Sequence, residues 1–177
     1  MRILPQPKTV QMQGGSVFLR PIQWRMADGV DARVRQAAHR IAASEDGGVP
    51  VTVQAGSSSS ESYTLTIAQD GVTIRSEGAA GAFYALQTLK MLLDEGDGVV
   101  ACCEIQDAPD MRFRGFYHDV TRGKVPTLAT LKELADRMAS LKMNVLQLYI
   151  EHTFAFREYA FCHETLGYLT KSEIQEL

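Results

Sequence analysis

The chain has 177 residues, which is enough for one ordinary domain or for a small domain plus part of another, and its 45% apolar content is enough for a sizeable core. Its 18 basic and 21 acidic residues give a formal net charge of −3 and form no basic stripe, which argues against nucleic acid as a partner. The N-terminus lacks a secretory leader pattern and no apolar run approaches the ~20 residues that cross a bilayer, so we expect a cytoplasmic location and no membrane association.

The first half of the chain predicts a small sheet with helices. Residues 16–19 read as part of a strand, and residues 31–43 carry apolar side chains at helical spacing, with Asp28 or Asp31 as the cap. The β-branched run at 50–54 predicts a second strand. Four serines at 57–60 then have the composition of a solvated loop.

A hairpin and a second helix follow. Residues 63–67 and 72–75 alternate in polarity around Asp70 and Gly71, which is typical of a β-hairpin. Residues 80–93 show an apolar stripe at helical spacing, and residues 99–105 return as a strand. Residues 1–107 are therefore expected to form an α+β domain, a small sheet with two helices packed on it.

The pattern changes after the turn-rich segment 106–110. Residues 113–120 predict a strand, Thr127 is placed to cap a helix that ends near residue 141, and residues 145–150 are mostly apolar, as in a strand buried on both faces. Strand, helix and strand at this spacing predict a βαβ unit. A further helix is expected to begin at Thr170, close to the last residue of the sequence.

Three segments carry a family resemblance. Residues 114–122 resemble the Arg-Gly-x-x-x-Asp-x-Ser/Thr-Arg segment that opens the barrel of glycoside hydrolase family 20 β-N-acetylhexosaminidases. Residues 131–146 look like the first barrel helix of that family with its Lys-x-Asn entry to the second strand, and residues 81–89 are similar to the Gly-Leu-Gln-Thr-Leu helix of the preceding domain. The resemblance implies that residues 108–177 are the first βαβ unit of a truncated TIM (β/α)8 barrel.

The resemblance also implies a chemistry. Family 20 enzymes remove terminal β-linked N-acetylhexosamine with retention, and the 2-acetamido oxygen of the substrate acts as the nucleophile, without a cofactor. An Asp-Glu pair at the end of the fourth barrel strand assists that attack. The acidic pairs at 45–46 and 94–95 fall in a loop and at a helix end of the first domain, so we expect that this chain alone is inactive.

Four residues are implied in substrate binding. The family's first barrel strand delivers an arginine that binds sugar hydroxyls, and Arg122 occupies that position, with Asp119 in the same strand as a partner for it or for a nearby backbone N–H. Glu151 and His152 follow the second strand, where a barrel places its active site. Arg114, at the strand's start, is expected to make an ion pair or backbone contacts.

The second strand departs from the family. Relatives usually show a His-x-His-x-x-Asp-Asp arrangement there, and residues 147–153 contain neither histidine of that motif. The departure leaves gluco or galacto preference open. The remaining cysteines and histidines have no metal or nucleophile spacing and are expected to be structural, and this group comprises Cys102, Cys103, Cys162, His39, His118 and His163.

Two other interpretations stay open. Residues 1–107 could act as a non-catalytic carbohydrate- or protein-binding module, whose signature would be exposed aromatic platforms, but the only tryptophan, Trp24, lies between a predicted strand and helix. The chain could also belong to another barrel glycosidase with a similar leading domain, such as a relative of the O-GlcNAc hydrolases or α-glucuronidases. An incomplete barrel would expose apolar surface and favour self-association.

Overall fold

The computed structural model describes residues 2–158 and 167–177, and its backbone contacts divide the chain into two compact units, Met1–Asp110 and Met111–Leu177. Cys162 and His163, which were expected to be structural, lie outside the described residues. None of the described helices is long and apolar enough to cross a membrane.

The first unit is a mixed sheet with two helices. The strands are β1 (Thr9–Phe18), β2 (Ile22–Met26), β3 (Val49–Ser58), β4 (Tyr63–Ala68), β5 (Gly71–Gly78) and β6 (Val99–Asp107), and the helices are α1 (Ala32–Ile41) and α2 (Ala79–Glu95). Their order in the sheet is β1-β6-β4-β5-β3-β2. The β2–β3 and β3–β5 pairs are parallel and the others antiparallel.

One strand was missed in the sequence and another was predicted too short. Trp24, which was expected between a strand and a helix, lies in β2, a five-residue strand that directly follows Pro21. The first strand begins at Thr9 instead of residue 16. Nearly all of β1 is exposed and its register shifts between Met12 and Ser16, so it shows no polar and apolar alternation.

The core lies between one face of the sheet and the two helices. Leu65 pairs with Ile74 on one side and with Ile105 on the other, and all three side chains are fully buried. Residues of β4 and β5 between these positions are threonines and an arginine that face the other way, partly or fully exposed. The sheet therefore buries one face against α1 and α2, as its alternating pattern predicts.

The start of α1 confirms Asp31 as the cap. Its carboxylate accepts a hydrogen bond from the backbone N–H of Arg33 at 2.8 Å, and the Arg33 side chain donates to the same carboxylate. These two hydrogen bonds, the side-chain bond first, lower the pKa of Asp31 to about 2. The capping residue is therefore ionised at neutral pH and suits the positive end of the helix.

The second unit contains the expected βαβ arrangement. Its elements are β7 (Gly115–Asp119), α3 (Leu128–Ser140), β8 (Val145–Tyr149) and α4 (Lys171–Glu176). The strands β7 and β8 are parallel neighbours, which confirms the strand-helix-strand prediction, although β7 starts two residues later than expected. Thr127 and Thr170 cap α3 and α4, the latter in a capping box with Glu173.

A Schellman turn joins α3 to β8. Lys142 has a positive φ of 59°, its backbone N–H donates to the carbonyl of Ala139, and the N–H of Met143 donates to the carbonyl of Met138. This geometry ends the helix sharply. The next strand can then begin at Val145, only a few residues after α3 ends.

Asn144 links the beginnings of β7 and β8 by side-chain hydrogen bonds. Its side-chain oxygen accepts from the backbone N–H of Arg114 at 2.9 Å, and its side-chain nitrogen donates to the carbonyl of Arg112 at 2.8 Å. Arg114 in turn donates to the carbonyls of Lys142 and Met111, which confirms the predicted backbone contacts. The Lys-x-Asn segment therefore has a structural role at the end opposite the candidate site.

Candidate functional site

Polar side chains meet where β7 and β8 end. Asp119 and Tyr149 are register partners, so their side chains leave the same face of the strand pair. The neighbouring Leu148 points to the opposite face, where it packs with the buried Leu131 of α3. The face that carries Asp119 and Tyr149 is therefore the one that α3 does not cover.

Asp119 is held by three hydrogen bonds. Its Oδ1 accepts from the hydroxyl of Thr121 at 2.7 Å and from the Thr121 backbone N–H at 2.9 Å, while Oδ2 accepts from Nη1 of Arg122 at 2.9 Å. These bonds, led by that of the Thr121 hydroxyl, lower the pKa of Asp119 to about 2. The carboxylate is therefore ionised throughout the neutral range.

Arg122 lies between two carboxylates. Its Nη1 binds Asp119, and its Nη2 donates to Oε1 of Glu151 at 3.1 Å. The guanidinium carbon lies 5.2 Å from the ring centroid of Tyr149, within the range of a cation–π contact. The phenol oxygen of Tyr149, followed by Asp119 and Glu151, raises the pKa of Arg122 above its ordinary value.

Glu151 accepts two hydrogen bonds on one oxygen. Its Oε1 accepts one hydrogen bond from the phenol O–H of Tyr149 at 2.7 Å and another from Nη2 of Arg122 at 3.1 Å. The Tyr149 bond is the first cause that lowers the pKa of Glu151. The side chains of Arg122, Asp119 and Glu151 are 63, 37 and 45% exposed, so the cluster is accessible to a ligand.

The structure brings together three of the four residues that the sequence predicted for the site. Asp119, Arg122 and Glu151 form one connected network, and the predicted contacts of Asp119 with Arg122 and with a backbone N–H are both present. His152 is half-buried and makes no hydrogen bond with another residue in the described ranges. A coulombic contribution from His152 is the last of the causes that lower the pKa of Glu151.

Two members of the network were not predicted. Tyr149 lies two residues before Glu151 and therefore on the same face of β8, and its register partner is Asp119. Thr121 follows the strand and supplies two of the three bonds to Asp119. Strand alternation along residues 147–151 could have predicted that Tyr149 lies on the same face as Glu151. The two hydrogen bonds of Thr121 could not be predicted in this way, because they depend on the backbone geometry after the strand.

Trp24, Cys102 and Cys103 are buried in the first unit, whereas the structural roles expected of His39 and His118 stay predictions. Trp24 is buried in the first unit and its Nε1 donates to the carbonyl of Ala42 at 3.0 Å, so it cannot serve as an exposed platform. Cys102 and Cys103 are buried free thiols, and burial raises the pKa of Cys103. His118 lies beside Phe116 on β7 with 5.7 Å between the ring centroids.

The polar face of the first unit contains an open groove of about 870 Å³. Lys8, Gln54, Arg75 and Gln106 contribute to its lining, and Arg75 donates to the Gln54 side chain at 3.2 Å. The aromatic residue at its wall, Tyr63, is 4% exposed, so it offers no stacking platform. Within residues 2–158 and 167–177, no group of three or more His, Cys, Asp or Glu side chains could hold a metal ion.

The family is identified by comparison with known proteins. Residues 1–108 match the model of glycosyl hydrolase family 20, domain 2. The chain is 37% identical over 102 residues to beta-hexosaminidase B of Pseudoalteromonas piscicida, an alignment that covers 58% of this chain and 13% of that protein. It is 31% identical over 155 residues to a beta-hexosaminidase of Vibrio vulnificus, which covers 84% of this chain and 18% of that protein.

A solved structure extends the similarity to both units. A mutant beta-hexosaminidase of Streptomyces plicatus, in complex with the product GlcNAc, has a TM-score of 0.81 and 26% identity, and the match covers 98% of this chain and 42% of that one. The chain thus spans less than a fifth of the two curated relatives and less than half of the solved structure. The matched first unit, together with these relatives, shows that the chain belongs to glycosyl hydrolase family 20.

Proposed function

We propose that this chain is the N-terminal portion of a glycoside hydrolase that removes terminal β-linked N-acetylhexosamine by a retaining, substrate-assisted mechanism. The observation that carries the proposal is the Arg122 cluster, an accessible guanidinium at the ends of two parallel strands that follow a family 20 domain. The related solved structure was determined with GlcNAc, a terminal sugar of this class. A terminal N-acetylhexosamine is therefore the substrate we expect.

In this proposal the second unit is the first βαβ unit of a (β/α)8 barrel. The parallel pairing of β7 with β8 and the cover of α3 on one face support it. Active sites of such barrels lie at the carboxyl ends of the strands, which is where the Arg122 cluster is found. The domain boundary then falls near residue 107, with the barrel from residue 108 onward.

Each site residue has a proposed role. Arg122 binds hydroxyls of the terminal sugar, because a planar group with five N–H donors suits a pair of hydroxyl oxygens. Asp119 and Glu151 contact the sugar directly or hold Arg122 in place. His152 follows Glu151 after β8, and we propose that it contacts the sugar from there.

The chemical step needs groups that we do not assign within this chain. Substrate-assisted hydrolysis requires an Asp that orients the acetamido group and a Glu that protonates the leaving oxygen. Of the acidic pairs in the first unit, Asp94 and Glu95 lie at the end of α2, where Glu95 accepts from the backbone N–H of Arg2. We propose that residues 1–177 bind the sugar but do not cleave the bond.

The remaining parts of the proposal concern location and assembly. The cytoplasmic location that the sequence led us to expect stays a proposal. In isolation the chain associates with itself, because Phe113, Phe116 and Tyr117 are 69, 42 and 55% exposed around two strands that pair only with each other in the described ranges.

The test compares this chain with the uninterrupted reading frame that contains it. Both are assayed with aryl 2-acetamido-2-deoxy-β-glucoside and β-galactoside, with and without a thiazoline that mimics the acetamido-derived intermediate. Activity of the longer protein alone, blocked by the thiazoline, is the expected result. A longer protein that cleaves neither glycoside contradicts the proposal, and uronides would then be the next substrates to test.

A matched pair of variants tests the role of Arg122. Arg122→Lys in the longer protein should lower kcat/KM roughly 10- to 100-fold, since lysine keeps the charge but loses the planar pair of donors. Arg137→Lys, on the exposed side of α3, is the control and should leave kcat/KM unchanged. Equal activity of the two variants would remove Arg122 from the site.

A further inference from the structure

The guanidinium of Arg122 is fixed before any ligand arrives. Nη1 is bonded to Asp119, Nη2 is bonded to Glu151, and the plane lies beside the ring of Tyr149. A long side chain that is free in solution loses rotamer freedom when it binds, and a side chain that is already held loses much less. Arg122 therefore loses less side-chain conformational entropy when a ligand binds.

Tyr149 acts on Arg122 through two contacts. Its phenol donates to the same Oε1 of Glu151 that receives Arg122, and this fixes the position of the carboxylate oxygen. Its ring also lies against the guanidinium carbon at 5.2 Å. Tyr149 therefore orients Arg122 in two ways: its phenol holds the carboxylate oxygen that accepts from Arg122, and its ring packs against the guanidinium.

We infer that Tyr149 and Glu151 are positioning residues for Arg122. This inference rests on the proposed function, because it names the residues that hold the sugar-binding arginine of the same site. It also explains how β8 can lack the histidines of the family motif: Tyr149 and Glu151 form a different network at the end of that strand.

The test measures kcat and KM of the longer protein with an aryl 2-acetamido-2-deoxy-β-glucoside. A positioning residue for the sugar-binding arginine should affect KM more than kcat. Unchanged KM in variants of both Tyr149 and Glu151 would overturn the positioning role.

Two variants test the position of Arg122. Glu151→Gln keeps an oxygen for Tyr149 and Arg122 but removes the charge that strengthens both hydrogen bonds, so it should raise KM for the glycoside several-fold. Tyr149→Phe keeps the ring but removes the phenol, so it should raise KM for the glycoside several-fold with a smaller effect on kcat. Glu133→Gln, at an exposed position of α3, is the control.

A measurement that does not depend on activity separates the two proposals. In NMR spectra of the same proteins, the held guanidinium of Arg122 should give separate, slowly exchanging Nη signals, and these should merge in Tyr149→Phe and Glu151→Gln. Separate signals in an inactive protein would support the positioning role and reject the proposed hydrolase. Signals that are merged already in the unchanged protein would overturn the positioning role even if the enzyme is active.

Discussion

The hydroxyl of Thr121 donates to Oδ1 of Asp119 at 2.7 Å, and the backbone N–H of the same threonine donates to that oxygen at 2.9 Å. This doubled contact turns the chain just after β7. It also explains why the carboxylate that holds Arg122 has a pKa of about 2, compared with the ordinary 3.8. Thr121, the second residue after β7, therefore lowers the pKa of a residue within that strand.

Thr121→Val should raise the pKa of Asp119 towards 3.8, because it removes the hydroxyl, which is the largest cause of the lowering, and keeps the backbone N–H. A pKa that is depressed in the folded state stabilises the fold above about pH 4, and this contribution is lost as the pH falls through about 2. In the variant, the pH range over which this stabilising contribution is lost should therefore become narrower. A carboxyl carbon titration by NMR measures the change.

Thr130→Val is the matched control for this titration. Thr130 shares a hydrogen bond with Thr127 at the start of α3, and neither residue contacts Asp119 in the described structure. The control should leave the pKa of Asp119 where it is. Equal titration curves for the two variants would mean that the Thr121 hydroxyl does not hold the carboxylate.

Asn144→Ala should loosen the strand pair at the end opposite the site. The change removes the side-chain bonds to the N–H of Arg114 and the carbonyl of Arg112, each worth about 1 kcal/mol. Amide hydrogen exchange should accelerate at Arg114 and in β7. Asn144→Asp is the informative comparison, because it keeps the acceptor for Arg114 but turns a second acceptor towards the carbonyl of Arg112.

The Arg114 amide gives the decisive reading for both Asn144 variants. We expect the aspartate variant to protect this amide and to disturb only the contact with Arg112. Unchanged exchange in the alanine variant would show that the backbone bond from the Asn144 N–H to the Arg114 carbonyl, at 2.8 Å, is sufficient by itself.

Periodicity predicted the elements that bury one clear face. The alternation of β4 and the stripe of α2 identify the residues that pack together, and the Thr127 and Thr170 caps follow from side chains that accept the first free N–H groups. Only the last part of β1 was predicted, because β1 is an exposed edge strand with a register shift, and β2 was missed because five residues give too short an alternation.

The site was predictable only in part. The motif at 114–122 predicted Arg122 as a site residue, and the position after an apolar strand predicted Glu151. The sequence could not show that Tyr149 faces Asp119, because that relation depends on the register between β7 and β8. The two strands are separated in the sequence by a loop and a helix, so a pattern within either strand does not record which residues face each other across the pair.

Thr88→Val should destabilise the first unit by about 1 kcal/mol, because the Thr88 hydroxyl is fully buried and shares a 2.7 Å hydrogen bond with the phenol of Tyr63. Valine has the same shape, so the change tests the hydrogen bond alone. Burial raises the pKa of Tyr63, which keeps its proton available as a donor. Denaturation followed by the fluorescence of the buried Trp24 reports on this unit.

Thr66→Val is the control for the buried hydrogen bond. Thr66 lies on β4, on the face of the sheet that the helices do not cover, and valine suits a strand at least as well as threonine. This variant should unfold at the same denaturant concentration as the unchanged chain or slightly above it. A loss of stability equal to that of Thr88→Val would contradict the role of the bond.

The isolated 177-residue chain should self-associate through its second unit. Within residues 2–158 and 167–177, β7 and β8 pair only with each other, and Phe116 and Tyr117 of β7 are 42 and 55% exposed. Replacing both by threonine keeps a strand-forming residue at each position and removes apolar surface, so the mass measured by light scattering should fall towards that of a monomer. Phe18→Thr removes an equally exposed aromatic ring from β1 of the first unit and should leave the mass unchanged. A monomer before any substitution would contradict self-association, and a fall in mass with Phe18→Thr alone would assign it to the edge of the first sheet.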